Sequence, residues 1–315
     1  MRVFEDIESI ERPFQNGVVT IGNFDGVHRG HQTLFEKVMK KAALMDGTSI
    51  VMTFEPHPSR IITGKKKPPL ITSYERKKNL IREAGLDVMI CAPFTREFAS
   101  LTAEAFARDI LAKKIGARAV VVGRDYSFGK NREGDIRLLR EYSEKFGFEV
   151  DTVDWLPIPG EEGGKISSTK IRALISRGKV ADAAGLLGRH YQAEGTVRRG
   201  RNRGGRLVGF PTANISLKEL LCPSAGVYAV FVDLDGVRFQ GAANVGVSPT
   251  FDDHIFTVEI HILDFDQDIY GREISVSFVE KIRDEKKFPD IPALSEQIEK
   301  DAARAREILS AASDQ

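Results

Sequence analysis

Alternating strand and helix patterns run through residues 17–187. Strands are predicted from short β-branched runs, and helices from apolar residues that recur every three or four positions. The predicted strands are Val18–Ile21, Ser49–Phe54, Asp87–Cys91, Ala117–Val122 and Phe148–Val153, and the predicted helices are Gln32–Met45, Thr72–Ala84, Thr102–Ile115 and Asp135–Phe146. This order predicts an α/β fold with a parallel sheet flanked by helices, in which ligands bind beyond the carboxyl ends of the strands.

The second part of the chain has strand patterns and turns, with almost no helical period before its last segment. Asp235-Gly236 lies between two apolar runs and predicts a tight hairpin. The strands predicted around and after it are Val227–Val232, Val237–Gln240, Phe256–Ile262 and Ile274–Phe278. We predict an antiparallel β-sheet or small β-barrel that ends in a helix over Ile291–Ser310, and a division into two domains, residues 1–186 and 187–315.

Composition and charge narrow the class of protein. The chain has 315 residues, of which 42% are hydrophobic, enough for two sizeable cores. With 46 basic and 45 acidic residues, the net charge of +1 gives no global reason to expect a nucleic-acid or membrane partner. Cys91 and Cys222 lie far apart and share no metal-type spacing. Because there is also no signal-peptide core and no apolar run of membrane-spanning length, we expect a cytoplasmic protein.

Two histidines follow the first predicted strand, in the run Ile-Gly-Asn-Phe-Asp-Gly-Val-His-Arg-Gly-His at residues 21–31. His28 and His31 therefore lie where a strand turns into a helix, and there the unpaired backbone N–H groups and the helix dipole favour an anion. Gly30 lets a phosphate approach between the imidazoles. The arrangement predicts a site that binds the phosphates of a nucleotide. The alternatives are a zinc-ligand pair or two surface histidines at a helix start.

Three further loops of the first part lie beside strand ends or helix starts. They are Thr53–Pro58, Gly123–Gly129 and Ile166–Arg172. Two prolines stiffen the first loop, and the second combines a phenyl, a phenol and a carboxylate, which suits a flat heteroaromatic ligand. The third opens a helix that Ser168 or Thr169 could cap, and capping alone could explain them. The functional interpretation adds their hydroxyls, Lys170 and Arg172 as phosphate ligands.

Two neutral oxygen side chains lie two residues apart in the run Gly-Phe-Pro-Thr-Ala-Asn of the second part. Thr212 and Asn214 face the same side of an extended segment. Together with phosphates they could hold Mg²⁺, which keeps several waters and needs few protein ligands. A polar patch on an edge strand is the alternative for these two residues.

These motifs, taken in order, resemble the prokaryotic bifunctional riboflavin kinase/FAD synthetase family. The runs that carry the resemblance are Gly-Asn-Phe-Asp-Gly-Val-His-x-Gly-His, Thr-Phe-Glu-Pro-His-Pro, Gly-x-Asp-Tyr-x-Phe-Gly, Ile-Ser-Ser-Thr-x-Ile-Arg, Gly-Phe-Pro-Thr-Ala-Asn, Val258–Phe265 and Lys281–Phe288. The resemblance covers nearly the whole chain. It differs at Ser248, where the family often has arginine at a variable position. It implies a Rossmann-like nucleotidyltransferase domain followed by a β-barrel riboflavin kinase domain with a C-terminal helix.

The resemblance also implies site residues in the first domain, which would adenylylate FMN to FAD and release pyrophosphate. The ATP-binding residues would be Gly22, Phe24, Asp25, His28, Gly30, His31, Ser168, Thr169 and Arg172, with His28 and His31 catalytic. The FMN-binding residues would be Phe54, His57, Asp125 and Phe128. Because the FMN phosphate is already a nucleophile, this reaction needs positioning and charge stabilisation rather than a base.

In the second domain the resemblance implies phosphorylation of riboflavin to FMN, with Glu259 as general base for the 5′-hydroxyl. Gly205, Arg206, Thr212 and Asn214 would bind ATP, Thr212 and Asn214 would hold Mg²⁺, and Arg283, Glu285 and Phe288 would bind the flavin. A hydroxyl nucleophile benefits from a base, which explains a carboxylate here and none in the first domain. The alternative for Glu259 is a solvated residue on a strand face.

Competing functions remain open at this stage. The basic, glycine-rich stretch 198–206 could bind RNA, but no aromatic residue is interleaved for base stacking. Another nucleotidyltransferase with the His-x-Gly-His motif, an enzyme with one degenerate half, and a non-enzymatic flavin-binding protein are the further alternatives. We expect riboflavin, FMN, FAD, ATP, ADP and pyrophosphate as ligands, no nucleic acid or membrane, and a monomer or weak homo-oligomer.

Overall fold

The computed structural model describes residues 1–62, 68–198, 212–217, 219–248 and 255–313. By its internal contacts the chain divides into two compact units. The first comprises Met1–Pro68 and Tyr74–Ser167, and the second comprises Pro69–Ser73 and Ser168–Gln315. The domain boundary at residue 187 stays a prediction. The division into units reflects how the residues pack and does not show which residues each activity needs.

The first unit contains a six-stranded sheet in which every strand pairs in parallel, as predicted. The strand order is β1-β4-β3-β2-β5-β6. The strands are β1 Arg2–Phe4, β2 Gly17–Ile21, β3 Ser49–Glu55, β4 Val88–Pro93, β5 Ala117–Gly123 and β6 Glu149–Val153. The helices are α1 Arg29–Leu44, α2 Pro58–Ile62, α3 Tyr74–Glu83, α4 Arg96–Ala99, α5 Ala103–Ala105, a π-helix over Phe106–Ile115, and α6 Ile136–Phe146.

Helices cover both faces of this sheet. Successive residues of each strand point to opposite faces, and apolar residues on each face pack against a different layer of helices. Val18 and Val51 face a cluster that includes Phe35 of α1. Val19 and Ile50 face the other cluster, which includes residues of the π-helix and α6. A parallel sheet buried on both sides is the expected consequence of strand–helix alternation.

The predicted helices differ from the observed ones mainly at their ends, as for α1, which begins at Arg29 rather than at Gln32. Helix α3 begins at Tyr74 rather than at Thr72, so Ser73 occupies the position before it. The segment predicted as one helix over Thr102–Ile115 is a short α-helix followed by the π-helix. Its buried residues Phe106, Ala107, Leu111 and Ile115 recur at intervals of four and five residues, which an α-helix and a π-helix can both accommodate, so the apolar period did not distinguish them.

The second unit contains a six-stranded antiparallel sheet with the order β7-β12-β9-β10-β11-β8. The two ends of the sheet are joined after β7, where the Arg198 N–H donates to the Asn214 carbonyl over 2.8 Å, so the sheet is nearly a closed barrel. Its elements are α7 Ser168–Ser176, α8 Val180–Leu187, β7 Tyr191–Thr196, β8 Ala213–Ser216, β9 Gly226–Leu234, β10 Val237–Ser248, β11 Ile255–Ile262, β12 Glu273–Arg283 and α9 Ile291–Ser313.

The predicted hairpin and C-terminal helix are present in this unit. Asp235 and Gly236 join β9 to β10 with φ values of 50° and 82°, the left-handed backbone that a tight hairpin turn requires. Helix α9 packs on the sheet through Ala305 and Leu309, which lie against Phe231 of β9. Among the residues that the structure describes, no helix is long and apolar enough to cross a membrane.

The sequence patterns did not predict one strand-like contact of the second unit. Leu70 pairs in parallel with Leu220. The Leu70 N–H donates to the Glu219 carbonyl over 3.0 Å, and the Leu221 N–H donates to the Leu70 carbonyl over 2.8 Å. The Ser73 hydroxyl then donates to Glu194 over 2.9 Å. Segment Pro69–Ser73 therefore packs with the second unit although it precedes α3 along the chain.

Candidate active sites

The two histidines of the first unit are held together at the start of α1. His28 is the residue that caps the helix: its Nδ1 accepts a hydrogen bond from the His31 N–H over 3.4 Å. The two rings stack with centroids 3.5 Å apart and planes inclined by 20°. A Cβ atom at Gly30 would lie 3.3 Å from the His28 ring, so glycine leaves room beside it. An accepting Nδ1 places the proton of a neutral His28 on Nε2, which makes that nitrogen a donor.

The loop before His28 has an unusual backbone and supports His31 from within the protein. Phe24 and Val27 adopt positive φ angles of 49° and 40°, which only a well-packed environment maintains. The Phe24 ring is 2% exposed and contacts His31 edge-on at 5.1 Å. Gly22 lies so close that a Cβ there would be 3.0 Å from the Phe24 ring. Of the predicted ATP-binding residues, Phe24, Asp25 and His28 are buried.

Three aromatic rings lie close together near the carboxyl ends of β3 and β4. The half-buried Phe54 ring contacts Phe94 and Phe98 at centroid distances of 5.5 and 5.7 Å, and those two rings lie 5.7 Å apart. His57 follows on the same loop, where its Nδ1 lies 2.8 Å from the Ser59 hydroxyl. Phe94 and Phe98 were not predicted as site residues, although their spacing of four residues directly after a strand was a usable signal.

The predicted FMN-binding residues Asp125 and Phe128 occupy different environments. Asp125 is exposed, and Lys165 donates to its carboxylate over 3.2 Å. Desolvation is the largest single influence and would raise the pKa of Asp125, but the hydrogen bond and charge of Lys165, together with hydrogen bonds from Trp155 and the backbone, hold that pKa below its ordinary value. Phe128 is only 6% exposed and packs in the core against Phe106, at 5.9 Å.

A buried lysine that was not predicted as a site residue contacts the loop after β2 and the end of β3. Lys77 of α3 is 6% exposed. Its Nζ lies 3.2 Å from the Thr53 hydroxyl, and 3.5 Å from each of the carbonyl oxygens of Asn23 and Phe54. A buried ammonium of this kind is rare, because desolvating a charge costs free energy unless partners compensate.

The predicted phosphate ligands of the Ile-Ser-Ser-Thr run lie at the start of α7 in the second unit. Helix α7 begins at Ser168, so Ser168 and Thr169 are its first residues and Ser167 holds the position before it. The cap predicted at Ser168 or Thr169 is therefore displaced by one residue, a common uncertainty at helix ends. The Nε–H of Arg172 donates to the Pro69 carbonyl over 3.0 Å.

A row of polar residues crosses three strands of the second unit. Glu259 of β11 is directly paired with Asn214 of β8 on one side and with Asn244 of β10 on the other. Their neighbours Val258 and Ile260 are buried in the barrel core, so the row lies on the outer face of the sheet. Glu259 keeps contact with solvent, yet the protein around it desolvates the carboxylate enough to raise the pKa of Glu259 above its ordinary value.

The predicted metal ligands of this unit are joined to each other. Asn214 Nδ2 donates to the backbone oxygen of Thr212 over 3.5 Å. The side-chain oxygen of Asn214 therefore points away from that backbone oxygen. Gly205 and Arg206, predicted to bind ATP, lie outside the described residues, as does most of the basic stretch considered for RNA. Within the described ranges, no group of three or more His, Cys, Asp or Glu side chains could hold a metal ion.

The loop that leads into α9 brings Glu285, one of the predicted flavin-binding residues, close to a strand of this row. The Glu285 carboxylate lies 3.3 Å from the position that a Cβ on Gly246 would take. Gly246 is paired with Thr257, which shares the outer face with Glu259. Phe288 lies under the Arg283 guanidinium, whose carbon is 5.7 Å from the ring centroid. Arg283 itself forms an ion pair with the buried Asp301 of α9.

Comparisons with known proteins match both units. Residues 11–170 match the family model described as FAD synthetase, and residues 187–309 match the one described as riboflavin kinase. A bifunctional riboflavin kinase/FMN adenylyltransferase of Escherichia coli (strain K12) is 38% identical over 311 residues, which cover 98% of this chain and 98% of that protein. The protein of the same description from Haemophilus influenzae is 38% identical over 307 residues, covering 97% of this chain and 98% of that protein.

A solved structure extends the similarity to the fold. A crystal structure described as a macrolide-efflux protein from Streptococcus pneumoniae is 34% identical to this chain, with a TM-score of 0.86. The match covers 96% of this chain and 98% of the other. The efflux description belongs to that protein, and what the two chains share is one fold along almost their entire lengths.

Proposed function

The chain belongs to the bifunctional riboflavin kinase/FMN adenylyltransferase family, and we propose that residues 187–315 phosphorylate riboflavin while residues 1–186 adenylylate the FMN that results. Both reactions use ATP as co-substrate. They break it at different bonds, so the chain needs two separate sites with different chemistry. The pairing of Glu259 with Asn214 is the observation that carries this assignment, because it sets a carboxylate of raised pKa beside a neutral oxygen ligand.

In the kinase step, the Glu259 carboxylate takes the proton of the riboflavin 5′-hydroxyl. The hydroxyl oxygen forms a bond to the γ-phosphorus of ATP, the bond from that phosphorus to the β–γ bridging oxygen breaks, and ADP leaves with the electron pair. A base whose pKa is raised toward the working pH is better suited to this proton transfer. Glu285 and Phe288, on the loop beside the same sheet face, are proposed to hold the flavin.

The donor set of this unit fits a magnesium ion. The Thr212 hydroxyl and the Asn214 amide offer neutral, hard oxygen atoms, and Mg²⁺ prefers such oxygens with waters and phosphates in its remaining positions. When bound, Mg²⁺ neutralises charge on the ATP phosphates. We propose Thr212 and Asn214 as the residues that hold it.

In the adenylyltransferase step, no general base is required. An oxygen of the FMN phosphate forms a bond to the α-phosphorus of ATP, the bond to the α–β bridging oxygen breaks, and pyrophosphate leaves. His28, His31 and the N–H groups at the start of α1 are proposed to stabilise the charge that develops on the phosphates. The rings around Phe54 offer an apolar surface for the flavin, and His57 borders it.

A time course tests both assignments together. Purified protein is incubated with riboflavin, ATP and Mg²⁺, and the flavins are separated at intervals. We expect FMN to appear first and FAD to follow. Flavin that binds without turnover would instead favour a non-enzymatic flavin-binding protein. FMN alone, or FAD formed only from added FMN, would indicate that one half is inactive. We further propose that the protein acts in the cytoplasm, which the free thiols of Cys91 and Cys222 support.

A further inference from the structure

A closed hydrogen-bond triangle joins α3 to two loops of the adenylyltransferase unit. Lys77 Nζ donates to the Thr53 hydroxyl over 3.2 Å and to the Asn23 carbonyl over 3.5 Å. The Thr53 hydroxyl donates in turn to the same Asn23 carbonyl over 3.2 Å. Lys77 Nζ also lies 3.5 Å from the Phe54 carbonyl, so its contacts connect the end of β3 to the loop after β2.

The two carbonyl groups that Lys77 contacts belong to the loop after β2 and to the end of β3, both of which carry candidate substrate ligands. Asn23 directly precedes Phe24, whose left-handed backbone sets its ring against His31. The other carbonyl belongs to Phe54 itself, whose ring borders the proposed flavin surface. A shift of the Asn23 carbonyl would therefore move Phe24, which packs against the proposed nucleotide ligand His31. A shift of the Phe54 carbonyl would move the ring that borders the proposed flavin surface.

Packing of α3 does not explain why a lysine is present. Leu80 and Ile81 already anchor the helix in the core, at 8% and 0% exposure. An apolar side chain at position 77 would be buried at lower cost, because an ammonium loses its hydration there. Burial accordingly lowers the pKa of Lys77, against the opposite influence of Cys91, Glu55 and Asp25. The ammonium is retained where it hydrogen-bonds oxygens of the loop after β2 and of the end of β3.

We infer that Lys77 is a positioning residue for adenylyl transfer, and that it holds the loop after β2 and the end of β3 at the separation the reaction requires. The inference rests on the proposed function of the first unit. Lys77 does not touch the reacting atoms; it acts through Asn23, Thr53 and Phe54. Displacement of a reacting group by about 1 Å can cost on the order of 10²-fold in rate, so a positioning contact of this kind is measurable in kcat.

The test compares four variants in the full-length protein. K77M keeps the length and packing of the side chain but removes the ammonium, and K78M removes the neighbouring partly exposed lysine that pairs with Glu75. T53V removes the hydroxyl at the centre of the triangle, and T53S retains it. We expect K77M and T53V to lower kcat for FAD formation from FMN by about 10- to 100-fold. K78M and T53S should stay close to wild type, and kcat for FMN formation should be unchanged in all four.

The double variant K77M/T53V separates positioning from simple loss of stability. Because both substitutions break one triangle, the fall in kcat should be well below the product of the two single effects. Kinetics are measured below the unfolding temperature of each variant. If K77M and T53V are less stable but form FAD with the kcat of wild type, the inference is wrong. If K77M does not fold, the comparison of T53V with T53S decides in the same way.

Failure of the inference and failure of the proposed function give different results. Wild-type protein that forms no FAD from FMN and ATP refutes the adenylyltransferase assignment before any variant is examined. Wild-type protein that forms FAD, together with equally active K77M and T53V, refutes only the role of Lys77.

Discussion

Glu259 and Asn214 are directly opposite each other on neighbouring antiparallel strands, β11 and β8, although they are far apart in the chain. Directly opposed residues on one face of such a pair have Cβ atoms about 5 Å apart. The pairing therefore places the proposed base beside a proposed metal ligand. The barrel register, rather than any local motif, therefore creates the proposed kinase centre.

Replacing Glu259 by glutamine should abolish the kinase activity and leave the adenylyltransferase activity. Glutamine preserves size and hydrogen bonding but cannot accept the proton of the riboflavin hydroxyl. Since a general base contributes about 10²- to 10⁴-fold, we expect E259Q to lose FMN formation by that order. FAD formation from supplied FMN serves as the internal control. Near-normal kinase turnover in E259Q would remove Glu259 from the mechanism.

The pH dependence of the kinase should report the raised pKa of Glu259. Its carboxylate must be deprotonated to act as a base, so activity is lost as the pH falls through its pKa. Because desolvation raises that pKa, the acid limb of kcat/KM for riboflavin should have its midpoint above the ordinary glutamate value of 4.5. The residual activity of E259Q should lack this limb. A wild-type midpoint at or below the ordinary value contradicts the prediction.

Two substitutions of His28 should separate catalysis from helix capping. H28A removes the imidazole and the cap of α1, whereas H28N removes the imidazole but can still accept the His31 N–H. Both should lower FAD formation by about 10²- to 10³-fold, the typical effect of losing one oxyanion-stabilising donor. Only H28A should also lose the cap, worth about 1 kcal/mol of unfolding free energy. Equal loss of FMN formation in folded H28N would count against the assignment.

Substitution of Asn214 by alanine should change the magnesium requirement of one reaction only. The amide oxygen of Asn214 is a proposed Mg²⁺ ligand, so N214A should need more Mg²⁺ for half-maximal FMN formation. The Mg²⁺ requirement for FAD formation from supplied FMN should not change. Titrations of Mg²⁺ at fixed ATP measure both in the same preparation. An equal shift in the two reactions would indicate a general effect on ATP rather than a ligand role.

Local patterns predicted most of the fold and only part of the sites. β-branched runs such as Val18–Ile21, and the Asp235-Gly236 turn, are encoded by neighbouring residues, so these elements are confirmed. The motif loop at His28 also follows a strand end, as predicted, whereas Phe54 lies within the last residues of β3. What sequence reading missed depends on long-range contacts. The pairing of Leu70 with Leu220 is an example, since no periodicity relates residues so far apart.

Lys77 shows a second limit of sequence reading. A lysine within an amphipathic helix is normally interpreted as solvent-facing, and only the folded structure shows that its ammonium is buried between loops. The pairing of Glu259 with Asn214 has the same origin, because strand register is set by the whole sheet. Candidate residues within one motif could thus be named from the sequence, whereas their pairing across strands could not.

The ion pair of Arg283 with Asp301 should stabilise the second unit, independently of any role of Arg283 toward the flavin. The guanidinium donates to Asp301 through Nε and Nη2 over 2.7 to 3.0 Å, and Asp301 is only 5% exposed. Removing one partner of a buried pair leaves the other charge without compensation, so D301A should lose about 3–5 kcal/mol of unfolding free energy. The exposed pair of Arg238 and Asp233 is the matched control, and R238A should lose at most about 1 kcal/mol.

Steady-state kinetics then separate the two roles of Arg283. R283M and D301N both break the ion pair, but only R283M removes the guanidinium from beside Phe288. If Arg283 also contacts the flavin, R283M should raise the KM for riboflavin more than D301N does, at temperatures where both variants are folded. Equal KM values in the two variants would restrict Arg283 to a structural role, because the loss of the shared ion pair would then account for the whole effect.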